Sequence, residues 1–262
     1  GTVVISAYNM AAAILRAFGD GKTPLIAMVI AAILNIFLDV TFVVLCKWGV
    51  FGAAIASVIS QFVSFIYCLL RIFKIESIKI KPSYWIPEWS LSIELLKFGF
   101  PLVAQHIIIS AGGMLVQSAV NLEGSIFVAG YTATNKLYGL IESTAISLGF
   151  AITTYIAQNY GAGNLKRVRE GLKSAAKFSI VISLLVMSVM LIAGKFLLKL
   201  FIDLKESGAE ESLLIANRFL VVMLLSLVIL YLIYVYRSTL QAMGNSFWSM
   251  VSGAGECVVR VL

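Results

Sequence analysis

The chain has 262 residues, of which 60% are hydrophobic and 13% charged, with a mean hydropathy of +0.98. Soluble domains carry about 25% charged residues, so a soluble domain is excluded. The formal charge of +7 does not signal a nucleic-acid binder, because the basic residues cluster at the ends of apolar runs. Those runs are continuous and about 20 residues long, which fits membrane-spanning helices rather than barrel strands.

In chain order, the apolar windows predict eight spans: 2–18, 24–46, 50–73, 95–121, 126–157, 174–201, 212–236 and 247–262. The fold class is all-α, a polytopic transmembrane helix bundle. The first span starts just after Gly1 and the last stops at Leu262 inside an apolar run. The expectation is a fragment truncated at both ends that does not transport by itself.

The second span holds Asp39, an acid within the apolar stretch Thr23 to Cys46. A carboxylate at that depth costs roughly 2.5–3.5 kcal/mol on translocon-type scales, which points to use of the charge. Asn35 lies four residues earlier, on the same helix face. Desolvation favours the neutral acid, which suits proton uptake and release. The same oxygens could instead ligate sodium together with backbone carbonyls. The blander reading is a buried polar anchor paired with Asn35 or with a helix backbone. Counted from Pro24, Asp39 sits roughly 20 Å along the helix.

The third span carries a small-residue stretch, Gly52-Ala53-Ala54-x-Ala56, next to Ser57, which suits helix packing. The segment 74–94 is read as an amphipathic linker at the cytoplasmic face. It carries Tyr84, Trp85 and Trp89, and is interrupted by Pro82 and Pro87. It divides residues 1–73 from 95–262.

In the fourth span, Gln105 and His106 follow Pro101. A histidine there can relay protons, or serve as a hydrogen-bonded packing residue. In the fifth, Lys136 and Glu142 are six apart and face different sides. Each is a candidate cavity-lining residue, with interfacial snorkelling the alternative for Lys136. Gly161-Ala162-Gly163-Asn164 lacks a following Gly-Lys-Ser/Thr and reads as a turn before a basic helix start. The seventh span has no acid between Leu213 and Tyr236, and the fourth has none after Glu94. Glu256 and Arg260 in the last span are spaced to pair.

Lysine and arginine place the connectors 19–23, 74–94, 158–173 and 237–246 on the cytoplasmic side, the last bordered by Arg237. The connectors around Trp48, Glu123 and Asp203–Glu211 face outward. Cys46, Cys68 and Cys257 are scattered without metal spacing and read as free thiols packed in lipid or helix interfaces. No catalytic triad, metal box or nucleotide motif occurs, so no enzyme is expected. Leu15-Arg16-Ala17-Phe18-Gly19-Asp20-Gly21 is echoed by Leu240-Gln241-Ala242-Met243-Gly244-Asn245-Ser246. Two such segments on one membrane side suggest homologous bundles related by an axis along the membrane normal.

Several segments in order carry a resemblance to a known family. They are Ile14–Pro24, Asn35-x-x-x-Asp39, Trp48–Gln61, Gly99-Phe100-Pro101, Gln117–Asn121, Ala157–Asn164 and Leu240–Asn245. Together they resemble the multidrug and toxic compound extrusion (MATE) family over essentially the whole chain. The resemblance implies two pseudo-symmetric lobes, of which this chain matches spans four to eleven of twelve. It implies secondary-active efflux of amphipathic, often cationic compounds across the cytoplasmic membrane by alternating access, as antiport with H⁺ or Na⁺ and no other cofactor. Asn35 and Asp39 match an amino-lobe cation site, with Ser57 where a hydroxyl often joins. Gln105, His106, Gln117, Asn121, Lys136 and Glu142 are candidate cavity residues. An acid from the family's first span lies outside this chain. Some members place acids in the carboxyl lobe's fourth- and seventh-span equivalents. Their absence here favours the amino-lobe site. The implied partners are small molecules and the bilayer, with a monomeric protein. A lipid-linked oligosaccharide precursor flippase of the same plan is the alternative. It is disfavoured because the spans hold few cations besides Lys136. A non-transporting membrane scaffold is a third reading.

Overall fold

The computed structural model describes residues 1–75, 88–202 and 208–261, and every regular element among them is helical. The packing divides the chain into two units, Gly1–Pro87 and Glu88–Leu262. Tyr84, Trp85, Pro82 and Pro87, expected in the linker, lie outside the described residues, as do positions 203–207 of the outward connector.

The first unit contains α1 (Thr2–Ala17), α2 (Lys22–Asp39), a π-helical turn (Val40–Leu45) and α3 (Gly49–Phe73). Buried residues on α3 recur every four positions, at Gly52, Ala56, Ser60, Ser64, Cys68 and Ile72. That spacing makes a stripe of mostly small side chains, which lets helices approach closely in a medium where lipid competes for apolar contact. A core of Ala11, Leu15, Ala27, Cys68 and Ile72 fills the centre. Hydroxyls add cross-links to backbone carbonyls. Ser64 Oγ donates to the Ala27 carbonyl at 2.8 Å, and Tyr8 donates to that of Pro24 at 3.3 Å. Gly52 sits close against its neighbour. A Cβ there would lie 3.1 Å from the Phe42 carbonyl carbon in the π-helical turn.

The second unit contains α4 (Trp89–Leu122), α5 (Ser125–Gly161), α6 (Leu165–Leu198), α7 (Ala209–Leu225), α8 (Leu227–Ala242) and α9 (Ser246–Val261). Helix α5 is central, packing on α6, α7 and α8, while α4 pairs most extensively with α9. Leu137, Ile141, Leu213, Leu220, Leu224 and Tyr231 anchor the main core. Again hydroxyls reach carbonyls across helices. Thr134 donates to Ala216 (2.9 Å), Ser212 to Ile126 (2.9 Å) and Tyr231 to Ile141 (3.1 Å). Outside these contacts the helices display large apolar side chains, such as Ile192 at 86% and Leu122 at 88% exposure, as a lipid-facing surface requires. Of the three free cysteines, Cys68 is buried, Cys257 half-buried and Cys46 exposed.

Among the described residues, five helices are long and apolar enough to span a bilayer, from the α2–π-turn segment Lys22–Leu45 through α6. The eight predicted spans need several corrections. The seventh, expected as one run over 212–236, is two helices bent by 49° at Ser226. The Ser226 hydroxyl turns back to the Met223 carbonyl at 2.9 Å, the kind of side-chain competition that breaks a helix. The flanking helices α1 and α9 have 16 residues each in the described chain. Helix α4 starts at Trp89, so residues 89–94 of the expected linker are helical. Helix α6 starts at Leu165, ahead of the apolar window at 174, as the reading of a turn before a basic helix start anticipates. The basic stretch after Asn164 is helix, because Asn164 Oδ1 accepts the Arg167 N–H at 3.1 Å as an N-cap. The intervening turn is correspondingly short, as its glycines predict. Arg237, expected at a connector, lies inside α8 and is 6% exposed. Arg237 therefore joins Lys136 and Arg260 among the cations within helices of this unit.

Candidate functional site

In the first unit, Asn35 and Asp39 are four residues apart on α2, and Ser57 of α3 meets Asn35. Asn35 Nδ2 donates to Ser57 Oγ at 3.4 Å, which leaves the asparagine Oδ1 available as an acceptor. Asp39 is half-buried. Its Oδ1 is shielded from solvent and has no hydrogen-bond partner among the described residues. It is not the anchor paired with Asn35 or a backbone group that one reading anticipated. An unpaired buried carboxylate oxygen is costly, so each one in a native fold calls for an explanation, a bound ion or a chemical role among them.

The backbone beside Asp39 is unusual too. Asp39 ends α2, and the next six residues wind as a π-helix, with Cys46 N–H bonding the Thr41 carbonyl five residues back at 2.9 Å. Such π-segments are rare and concentrate at functional sites. The local donor set of carboxylate, amide carbonyl and hydroxyl oxygens is hard, and suits a proton or a small hard cation.

The second unit holds a different polar constellation. A cavity of about 340 Å³ is lined by Gln105, His106, Glu142, Tyr234, Arg237 and Glu256, among others. A neighbouring cavity of about 660 Å³ shares Glu142 and adds Gln117, Asn135, Tyr138 and Arg260. Tyr234 donates to Glu142 Oε1 at 2.9 Å. Arg237 bonds Glu256 Oε2 at 2.8 Å and Ser252 at 3.2 Å, while Arg260 holds the other Glu256 oxygen. Gln105 completes the network. With its amide oriented to satisfy both neighbours, Oε1 accepts from Arg237 Nε at 3.2 Å and Nε2 donates to Ser249 Oγ at 3.1 Å. Both arginines are thus spent on one carboxylate. Glu142 is the cavity's acid without an ion pair among the described residues.

The expected cavity residues therefore divide. Gln105, His106, Glu142 and Gln117 line these two spaces. Asn121 reaches them only through Gln117, whose Nε2 donates to Asn121 Oδ1 at 2.9 Å. Lys136 is elsewhere, in a separate cavity of about 400 Å³, with Nζ 5.9 Å from the Phe201 ring centroid. The opposed placement of Lys136 and Glu142 agrees with their six-residue spacing. The pairing of Glu256 with Arg260 is also as expected. Sequence reading missed Tyr234 and Arg237. The only available signal was Glu256, a second acid within an apolar run whose partner lies 19 positions away. The lack of acids in the fourth and seventh spans does not leave this unit without one, since α5 and α9 supply Glu142 and Glu256.

Outside the spans, the turn between α1 and α2 carries a tight charge cluster. Asp20 accepts the Thr23 N–H (3.0 Å) and hydroxyl (2.6 Å), and lies 3.4 Å from Arg71 Nε. The Thr23 hydrogen bonds, with a smaller contribution from Arg71, hold its carboxyl below the usual range.

Comparison with known proteins is consistent with this architecture. The MatE family model matches residues 101–262. A probable multidrug resistance protein of Bacillus subtilis, YpnP, is 34% identical over 80% of this chain and 47% of its own length. A second from the same organism, YoeA, is 26% identical over 90% of this chain and 52% of its own length. Among solved structures, the Vibrio cholerae MATE transporter VcmN superposes with a TM-score of 0.85 at 20% identity. That match covers 94% of this chain and 55% of that one. The chain spans about half the length of the curated relatives it matches. Its fold is a multi-pass helical bundle like that of the solved structure.

Proposed function

The chain belongs to the MatE family, and from that premise we propose that it forms part of a secondary-active exporter of small amphipathic molecules. The exporter acts as a monomer in the cytoplasmic membrane, with the basic connectors inside. Entry of H⁺ or Na⁺ drives efflux by alternating access. Asp39 is the coupling acid, with Asn35 and Ser57 completing its site. The observation that carries this reading is the buried, unpartnered Oδ1 of Asp39 beside the Asn35–Ser57 pair and the π-helical turn. The relatives' description as multidrug resistance proteins supports export of foreign compounds.

The cavities around Glu142 are the proposed substrate-facing surface of the second unit. Arg237 and Arg260 are both held by Glu256, so among the described residues of these two cavities no unpaired arginine is offered to a diphosphate. That disfavours the flippase alternative on stronger ground than a count of cations.

The test uses the full-length protein in vesicles with separately imposed Na⁺ and H⁺ gradients. Asp39→Asn is expected to abolish gradient-driven efflux while the protein still folds and inserts. Near-normal coupled efflux in Asp39→Asn, with loss in Glu142→Gln instead, would move the coupling acid to the second unit.

A further inference from the structure

We propose that the groove between α5 and α6, at the basic end of the second unit, is a binding site for an anionic phospholipid. The groove encloses about 550 Å³. Its walls are apolar, built by Leu148 and Ile156 on α5 and by Ala175 and Phe178 on α6. At one end stands Arg167, the third residue of α6. Arg167 and Phe178 are separated by about 16 Å along the helix axis, so a cation and an apolar slot lie in line, as the headgroup and acyl chain of one lipid do.

Three further observations favour a lipid over a soluble ligand. First, the Arg167 guanidinium makes no hydrogen bond or ion pair to a described residue, although its backbone N–H is capped by Asn164. Second, Lys166 to Lys177 carries five basic residues against one acid, Glu170, which also borders the groove. This net positive potential selects an anionic headgroup. Third, Gly171 lets the Tyr155 ring lie directly against α6, where any Cβ would collide with Tyr155 Cε1. Tyr155 is 41% exposed, and its ring forms an aromatic floor between the polar mouth and the apolar slot. At about 51 Å by its residue count, α6 is longer than a hydrocarbon core, so its basic first turns meet the headgroup layer. A free phosphate would use only the mouth and leave the slot empty.

The test reconstitutes the full-length protein in nanodiscs of phosphatidylcholine with a minor fraction of phosphatidylglycerol, then measures retained lipid by native mass spectrometry. Phosphatidylglycerol should be retained in preference to phosphatidylcholine. Arg167→Gln should reduce its retention about fivefold, the expected effect of one basic residue at an anionic surface. Ala151→Trp, which fills the groove from an exposed position, should remove it, whereas Glu170→Gln should raise it. Equal retention of both lipids by the unsubstituted protein would overturn the proposal. So would unchanged retention in both Arg167→Gln and Ala151→Trp, or displacement of the lipid by glycerol phosphate alone.

Discussion

At the scale of single residues, Asp20 and Asp39 show how the same carboxylate does opposite things. Asp20 is saturated with donors and ties the start of α2 to Thr23 and Arg71. Asp39 has no donor to its buried oxygen among the described residues. The first arrangement builds structure and the second leaves a group able to react. Asp20→Ala should therefore cost about 1 kcal/mol of stability, as loss of a helix-start acceptor does, read as a lowered melting temperature of the full-length protein. The sign with pH follows from the lowered folded-state pKa of Asp20. Its contribution is fully present above the ordinary carboxylate range and is lost as pH falls through the lowered value. The melting-temperature gap between wild type and Asp20→Ala should be constant near neutrality and close in strong acid.

At the scale of elements, small residues and helix stops set the architecture. Gly130 on α5 has no room for a side chain, since a Cβ would lie 2.6 Å from the Ser212 carbonyl oxygen on α7. Backbone cannot yield there as a flexible side chain could. Gly130→Val should destabilise by about 1–3 kcal/mol or more by overpacking, measurable by thermal melting, while the exposed Gly139→Ala should be near neutral. The repeated segment of the sequence is explained at this scale as well. Gly19 and Gly244 adopt φ of +85° and +82°, and Asp20 and Asn245 each bond the carbonyl five residues back at 2.9 Å. Gly163 with Asn164 repeats this geometry at φ +71°. The pattern of glycine followed by Asp or Asn is thus the chemistry of a helix stop, which any helix end on this plan can use.

At the scale of the molecule, the second unit is organised by one carboxylate. Glu256 on α9 receives Arg237 from α8 and Arg260 from its own helix, and Gln105 of α4 contacts the same arginine. Three helices meet at this network in a low-dielectric interior. Glu256→Gln leaves Arg237 buried and uncompensated, and is expected to cost about 3–5 kcal/mol. The double variant Glu256→Gln with Arg237→Gln should recover part of that loss. Thermal melting of the single and double variants measures the coupling, and strict additivity would show that the pair does not interact.

The membrane class, the number and order of most helices and the candidate residues Asp39, Asn35 and Glu142 were legible from the sequence alone. Continuous apolar length is a local property, and so is a charge that interrupts it. The helix stops were legible for the same reason, because positive φ is a demand made on one glycine at a time. Tertiary structure alone decided the rest. The break at Ser226 lies inside an unbroken apolar run, where composition carries no signal. Arg237 reads as an interfacial cation until a partner 19 residues away is brought against it. The orphaned oxygen of Asp39 is a fact about what does not face it, and only the packing of α3 and the π-helical turn against α2 determines that.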